Sequence, residues 1–172
     1  MKSGLKRPSW DERFMFEAYS SAIRSSCKYI QTGAVIVKDK RIIASGYNGA
    51  PPGIVNCLER GCRKDDKGIA WDKKGLGNCR GAHAEINAMA QISRADLIGT
   101  TMYTVFFPCS ACAKSIVGNG IKEVVYSKIY KEIDSLTKEL MQEAGIILRQ
   151  LKIDVDKQFD LIKNVQKQPS IF

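Results

Sequence analysis

The chain has 172 residues, 44% of them hydrophobic, which suits a single compact domain with a sizeable core. No run approaches the roughly 18 apolar residues needed to cross a bilayer, and the basic start MKSGLKRPSWDERF lacks the apolar stretch of a secretory signal. A soluble, cytoplasmic protein with no membrane partner is therefore expected, and its 27 basic against 18 acidic residues (net +9) suit an anionic partner.

Ser9-Trp10-Asp11-Glu12 reads as a capping box, with Ser9 as N-cap and Glu12 three residues later. The helix it opens places Phe14, Ala18, Ala22 and Ile23 on one face. The β-prone runs 34–37 and 41–44 flank Lys38-Asp39-Lys40 and predict a hairpin. Residues 48–82 are rich in Gly, Pro, Asn and charge and predict no long element. Helical spacing returns at Ile86, Met89, Ala90 and Ser93. A strand at 101–105 follows, then a break at Pro108 and a helix from Cys109 to Val117, stopped by Gly118-Asn119-Gly120. The last elements are a strand at 124–126, a helix from Asp134 to Ala144 ended by Gly145, and a strand at 146–148. The order indicates one α/β sheet with helices packed on its faces. Residues 1–152 form the domain, and 153–172 form a polar tail, helical with a frayed end.

The basic excess is spread out, with about +2 over residues 1–13, about +3 over 58–80 and about +2 over 149–172. No Lys/Arg stripe forms along one helix, so a phosphorylated small molecule is favoured over nucleic acid. Most of these charges are ordinary solvated surface.

Two short segments carry the chemistry. His83-Ala84-Glu85 opens one helix, and Pro108-Cys109-Ser110-Ala111-Cys112 opens the next. One imidazole and two thiolates suit tetrahedral Zn²⁺, and a Cys-x-x-Cys at a helix N-terminus can aim both sulfurs at one ion. Three protein ligands leave a fourth position for water, as a catalytic site requires. Glu85, two residues beyond His83, can serve that water as proton carrier without ligating the ion. His83 is the chain's one histidine, so no other imidazole can do so. Alone, a Cys-x-x-Cys is as often redox or structural, and a lone His-Ala-Glu is weak. In this order, with a strand between, they form the His-x-Glu…Pro-Cys-x-x-Cys signature of zinc nucleobase deaminases.

The sequence resembles the deoxycytidylate deaminase family, within the cytidine deaminase-like superfamily. The resemblance rests on 32–37, on Gly46-Tyr47-Asn48-Gly49-Ala50-Pro51-Pro52-Gly53, on 83–88, on 107–114 and on 120–124. It covers roughly residues 8–150 and implies a three-layer α-β-α fold around a mixed sheet. The implied reaction is hydrolysis of dCMP to dUMP and ammonia, with Glu85 as base and then acid. By the same resemblance Asn48 meets the substrate near its sugar and the Ala84 backbone helps to hold the base. Arg94 is a candidate for the phosphate, against its being an ordinary surface arginine. Tyr126 is a candidate wall of the base pocket, against its being a tyrosine of the sheet core. A homohexamer activated by dCTP and inhibited by dTTP with Mg²⁺ is also implied, with Gly46, Asn48 and Gly49 near the effector site.

Cys27, Cys57, Cys62 and Cys79 remain. A stretch as long as 48–82 is uncommon without something to pin it. Some family members bind a second zinc, and four thiolates would make a closed, structural site; four unlinked thiols is the competing reading. Two other functions stay open, a nucleic-acid deaminase such as a tRNA adenosine deaminase, and a zinc-stapled binding module without catalysis.

Overall fold

The computed structural model describes residues 7–73, 76–131 and 133–167. The expected frayed end at 168–172 and the chain's first six residues lie outside them. Ser9 caps α1 (Trp10–Ala22) as expected: its Oγ accepts from the Glu12 amide, and its own amide donates to the Glu12 carboxylate. The buried face of α1 is Phe14, Met15, Ala18 and Ala22. Ile23, expected on that face, is instead the C-cap and is 69% exposed, one position past the last residue that packs.

The hairpin pairs β1 (Gly33–Lys38) with β2 (Arg41–Tyr47), and its turn holds Asp39 and Lys40 at φ 48° and 60°. Two positive φ values give a turn whose twist matches that of the flanking strands, here without the usual glycine. The sheet continues with β3 (Thr101–Phe106), β4 (Glu123–Lys128) and β5 (Ile147–Gln150) in the order β2-β1-β3-β4-β5. The β2–β1 and β1–β3 pairs are antiparallel, while β3–β4 and β4–β5 are parallel. Parallel neighbours need a crossover, supplied by α6 (Ser110–Gly118) and α7 (Ser135–Glu143). Gly120 and Gly145, at φ 73° and 67°, take the left-handed turns that stop these two helices.

Alternation along the strands divides the core into two layers. Ala34, Ile36, Met102 and Val124 face α4 (Ala84–Met89), α6 and α7, where they meet Ala84, Ala88, Ile116 and Met141. Val35, Val37, Tyr103 and Val125 face α1. After β5, α8 (Val155–Gln166) reaches α1, with Phe159 edge-on to Phe16 at 5.4 Å. The result is a mixed sheet between two helical layers. An ionic cluster locks α1 to the sheet: Arg149 donates to both Asp11 oxygens and to Glu123, and the Tyr103 hydroxyl donates to Asp11.

The described residues of 48–82 hold two single-turn helices, α2 (Cys57–Arg60) and α3 (Arg63–Asp66), and a 3-10 turn at Leu76–Asn78. A second departure follows α4. Ser93 does not continue that helix but caps α5 (Arg94–Leu97), its Oγ accepting from the Asp96 amide. Among the described residues no helix is long and apolar enough to cross a membrane.

Candidate metal centre and active site

Both motif segments sit at helix N-termini on the same side of the sheet. His83 is the N-cap of α4 and Cys109 the N-cap of α6, and neither side chain caps its own helix. They turn to each other instead. His83 Nδ1 lies 3.3 Å from Cys112 Sγ and 3.4 Å from Cys109 Sγ. Zinc bonds of about 2.0 Å to nitrogen and 2.3 Å to sulfur at a tetrahedral angle separate the two donors by about 3.5 Å. The observed spacing is close to that edge, so this donor set fits the ion in number, chemistry and size. Among the described residues these three form the one group of three or more ligating atoms mutually within 4.8 Å.

Proton affinities follow from the same packing. The two thiols share a proton: the Cys112 thiol bonding to the Cys109 sulfur holds Cys109 down to about 4, and the same bond, with burial, pushes Cys112 up. A divalent cation among the three groups would displace that proton. Glu85, in the first turn of α4, is only 6% exposed, and burial pushes its carboxyl above the usual range. Such a group binds and releases a proton nearer neutrality than an exposed glutamate does.

Around this centre Ala84 is fully buried at the start of α4, and Tyr126 stands edge-on to Phe107 at 4.9 Å, two residues before Cys109. Gly49 pairs by both backbone groups with Ala82, the residue before His83. Gly46 lies beneath α4, where a side chain has no room. Asn48 is turned to the loop after α1: its Oδ1 accepts from Ser25 Oγ and the Thr32 amide, and its Nδ2 donates to the Ile30 carbonyl. One Nδ2 hydrogen is left for any further partner.

Arg94 is placed elsewhere. Its Nε donates to the Gly118 carbonyl at the far end of α6, roughly 12 Å along the axis from Ser110 at about 1.5 Å per residue. Burial first, then the neighbouring thiols Cys79, Cys62 and Cys27, push the Cys57 thiol up. Among the described residues no three of these four sulfurs come within 4.8 Å of one another. The sequence reading missed Asp134 as a partner of the site. Asp134 was legible as a helix start, but its second oxygen accepts from the Ser110 amide, a contact across 24 residues that no local spacing announces.

Comparison with known proteins agrees with this geometry. A family model described as the cytidine and deoxycytidylate deaminase zinc-binding region matches residues 8–128. The deoxycytidylate deaminase of Mycobacterium phage D29 is 42% identical over 126 residues, covering 72% of this chain and 98% of the phage protein. That of Saccharomyces cerevisiae is 39% identical over 160 residues, covering 92% of this chain, which thus spans about half (50%) of the yeast protein. The dCMP deaminase of cyanophage S-TIM5, solved with dCMP and dUMP, superposes with a TM-score of 0.65 at 26% identity, covering 86% of this chain and all (100%) of that one. By fold, by donor set and by sequence, the chain belongs to the cytidine and deoxycytidylate deaminase family.

Proposed function

We propose that the chain hydrolyses dCMP to dUMP and ammonia, with zinc held by His83, Cys109 and Cys112 and with Glu85 as the catalytic acid–base. The observation that carries this reading is the three-donor cluster with a buried carboxyl beside it. The substrate follows from likeness to deoxycytidylate deaminases, one of them matched over nearly its whole length. Zinc held by these three residues would supply a water activated as nucleophile near neutral pH. Glu85 takes one proton from the attacking water and delivers it to N3 of the cytosine as C4 is attacked. It then takes the second from the hydroxyl now on C4 and passes it to the amine, so that the C4 carbonyl forms and ammonia leaves. A carboxyl raised by burial can play both parts in turn. The Ala84 amide, at the first turn of α4 where helical amides lack an intrahelical acceptor, holds the base, and the Phe107–Tyr126 pair walls the pocket. Asn48 contributes at most its one remaining amide hydrogen toward the sugar. Arg94, tied to the opposite end of α6, is no part of that pocket.

The same reading extends outward. The family resemblance implies a second, structural zinc on Cys27, Cys57, Cys62 and Cys79. The influence of the other three thiols on Cys57 supports their being neighbours. No three of these described sulfurs lie within 4.8 Å of one another, so the loop would have to tighten to bring them onto one ion. Metal analysis giving about two zinc ions per chain agrees with this, and one zinc in a fully folded protein rejects it. The family resemblance implies a homohexamer under dCTP and dTTP–Mg²⁺ control, and the backbone bridge from Gly49 to Ala82 would tie an effector bound near Gly49 to the residue before His83. None of the six cysteines is paired in a disulfide, which is in keeping with a reducing cytoplasm. Ammonia release measured side by side from dCMP, CMP, dCTP, deoxycytidine and tRNA tests the substrate. Activity greatest on dCMP supports the proposal, and activity on tRNA alone overturns it.

A further inference from the structure

Helix α6 begins with a conflict. An N-cap side chain ordinarily turns back to accept an amide of the first turn. Cys109 holds that position but faces His83 and makes no cap bond. The first amides of α6 therefore need an acceptor from elsewhere. The Ser110 amide finds one on the neighbouring helix, donating to Asp134 Oδ2 at 3.2 Å. The other oxygen, Oδ1, accepts from the Thr137 amide at 3.3 Å, which makes Asp134 the N-cap of α7. One carboxylate thus closes two helix N-termini, both of which favour a negative charge.

We propose that Asp134 is a positioning residue for the metal centre, supplying from α7 the cap that Cys109 gives up to face the metal. The assignment rests on the reading of His83, Cys109 and Cys112 as zinc ligands. Ser110 directly follows Cys109, so the Ser110 peptide fixes the backbone from which Cys109 Sγ is aimed. Cys112 lies in the same first turn and follows through the helical register. Outer partners of this kind orient ligands and tune metal affinity.

Counting oxygens separates the two roles of Asp134. Asparagine caps a helix as well as aspartate does, but it has one oxygen and would turn an NH₂ toward the Ser110 amide. Serine caps too, on a side chain too short to serve both helices. The test uses the full chain loaded with zinc, comparing wild type, Asp134→Asn and Asp134→Ser. Zinc affinity is read by competition with a chromogenic chelator, and the sulfur-to-metal charge-transfer band is read after cobalt substitution. Both variants are expected to fold, with a melting temperature lowered by a few degrees for the lost cap bond. In both, the zinc equivalent whose removal stops turnover should bind roughly 10-fold or more weakly, with a displaced cobalt band. Affinity within twofold of wild type and an unaltered band overturn the proposal and leave Asp134 as the cap of α7 alone. Loss of folding in both variants overturns it as well, because a role at the metal centre leaves the fold intact. A wild-type protein that takes up no zinc at all would overturn the metal reading itself.

Discussion

Gly46→Ala should separate folding from catalysis. A β-carbon at Gly46 would sit 2.3 Å from the Ala88 amide nitrogen and 2.5 Å from the Ala84 carbonyl oxygen. Both obstacles are backbone, so no side chain can swing aside. Ordinary carbon contacts begin at about 3.5 Å, and α4 must therefore retreat by roughly 1 Å from β2. The helix carries His83 at its cap and Glu85 in its first turn, so the retreat moves the proposed ligand and the proposed acid–base together. A misplacement of about 1 Å near reacting groups costs on the order of 10²-fold in rate. Overpacking of this kind costs about 1–3 kcal/mol, a few degrees in melting temperature for a chain of this size. The assay pairs initial rates of dCMP deamination with thermal unfolding and zinc content. Gly118→Ala is the control, since an added β-carbon there meets nothing within 4 Å. A Gly46→Ala protein with wild-type kcat would refute the coupling, whatever its stability, since it would mean that the sheet yields and α4 does not.

Other expectations rest on separate contacts. Glu85→Gln keeps the volume of a side chain only 6% exposed; zinc content should be unchanged while kcat falls by about 10²–10⁴-fold or more, and near-normal kcat would remove Glu85 from the mechanism. The Arg149 guanidinium, helped by the Tyr103 hydroxyl against some desolvation, holds the Asp11 carboxyl below the usual range. A depressed carboxylate stabilises the fold above its unfolded pKa of about 3.9 and ceases to as pH falls through the folded value. Asp11→Asn should therefore lower the melting temperature at pH 7, with the gap to wild type closing below about pH 4; a gap independent of pH would contradict the pairing.

Much of this architecture was legible in the sequence because its signals are local. Ser9 and Glu12 announce α1 by a spacing of three, and Cys109 and Cys112 share a first turn by the same spacing. The fold then brings His83 to them across β3. What the sequence concealed depends on contacts between distant segments. Gly46 reads as part of a glycine-rich effector stretch, yet the structure gives it a steric task under α4. Asn48 reads as a substrate contact, yet its amide is largely spent on Ser25, Ile30 and Thr32. Arg94 follows the His83 helix in sequence, but the chain breaks at Ser93 and turns it to the wrong end of α6. Asp134 announces only its own helix, while its second oxygen serves another.

The central claim is that catalysis depends on a metal gathered by His83, Cys109 and Cys112. The most direct measurement follows dCMP turnover through removal and return of zinc. The account predicts that stripping the ion with a chelator abolishes dUMP formation in a protein that stays folded, and that added zinc restores it. Undiminished turnover after the ion is gone, or a fully zinc-loaded protein inert toward dCMP, would contradict it.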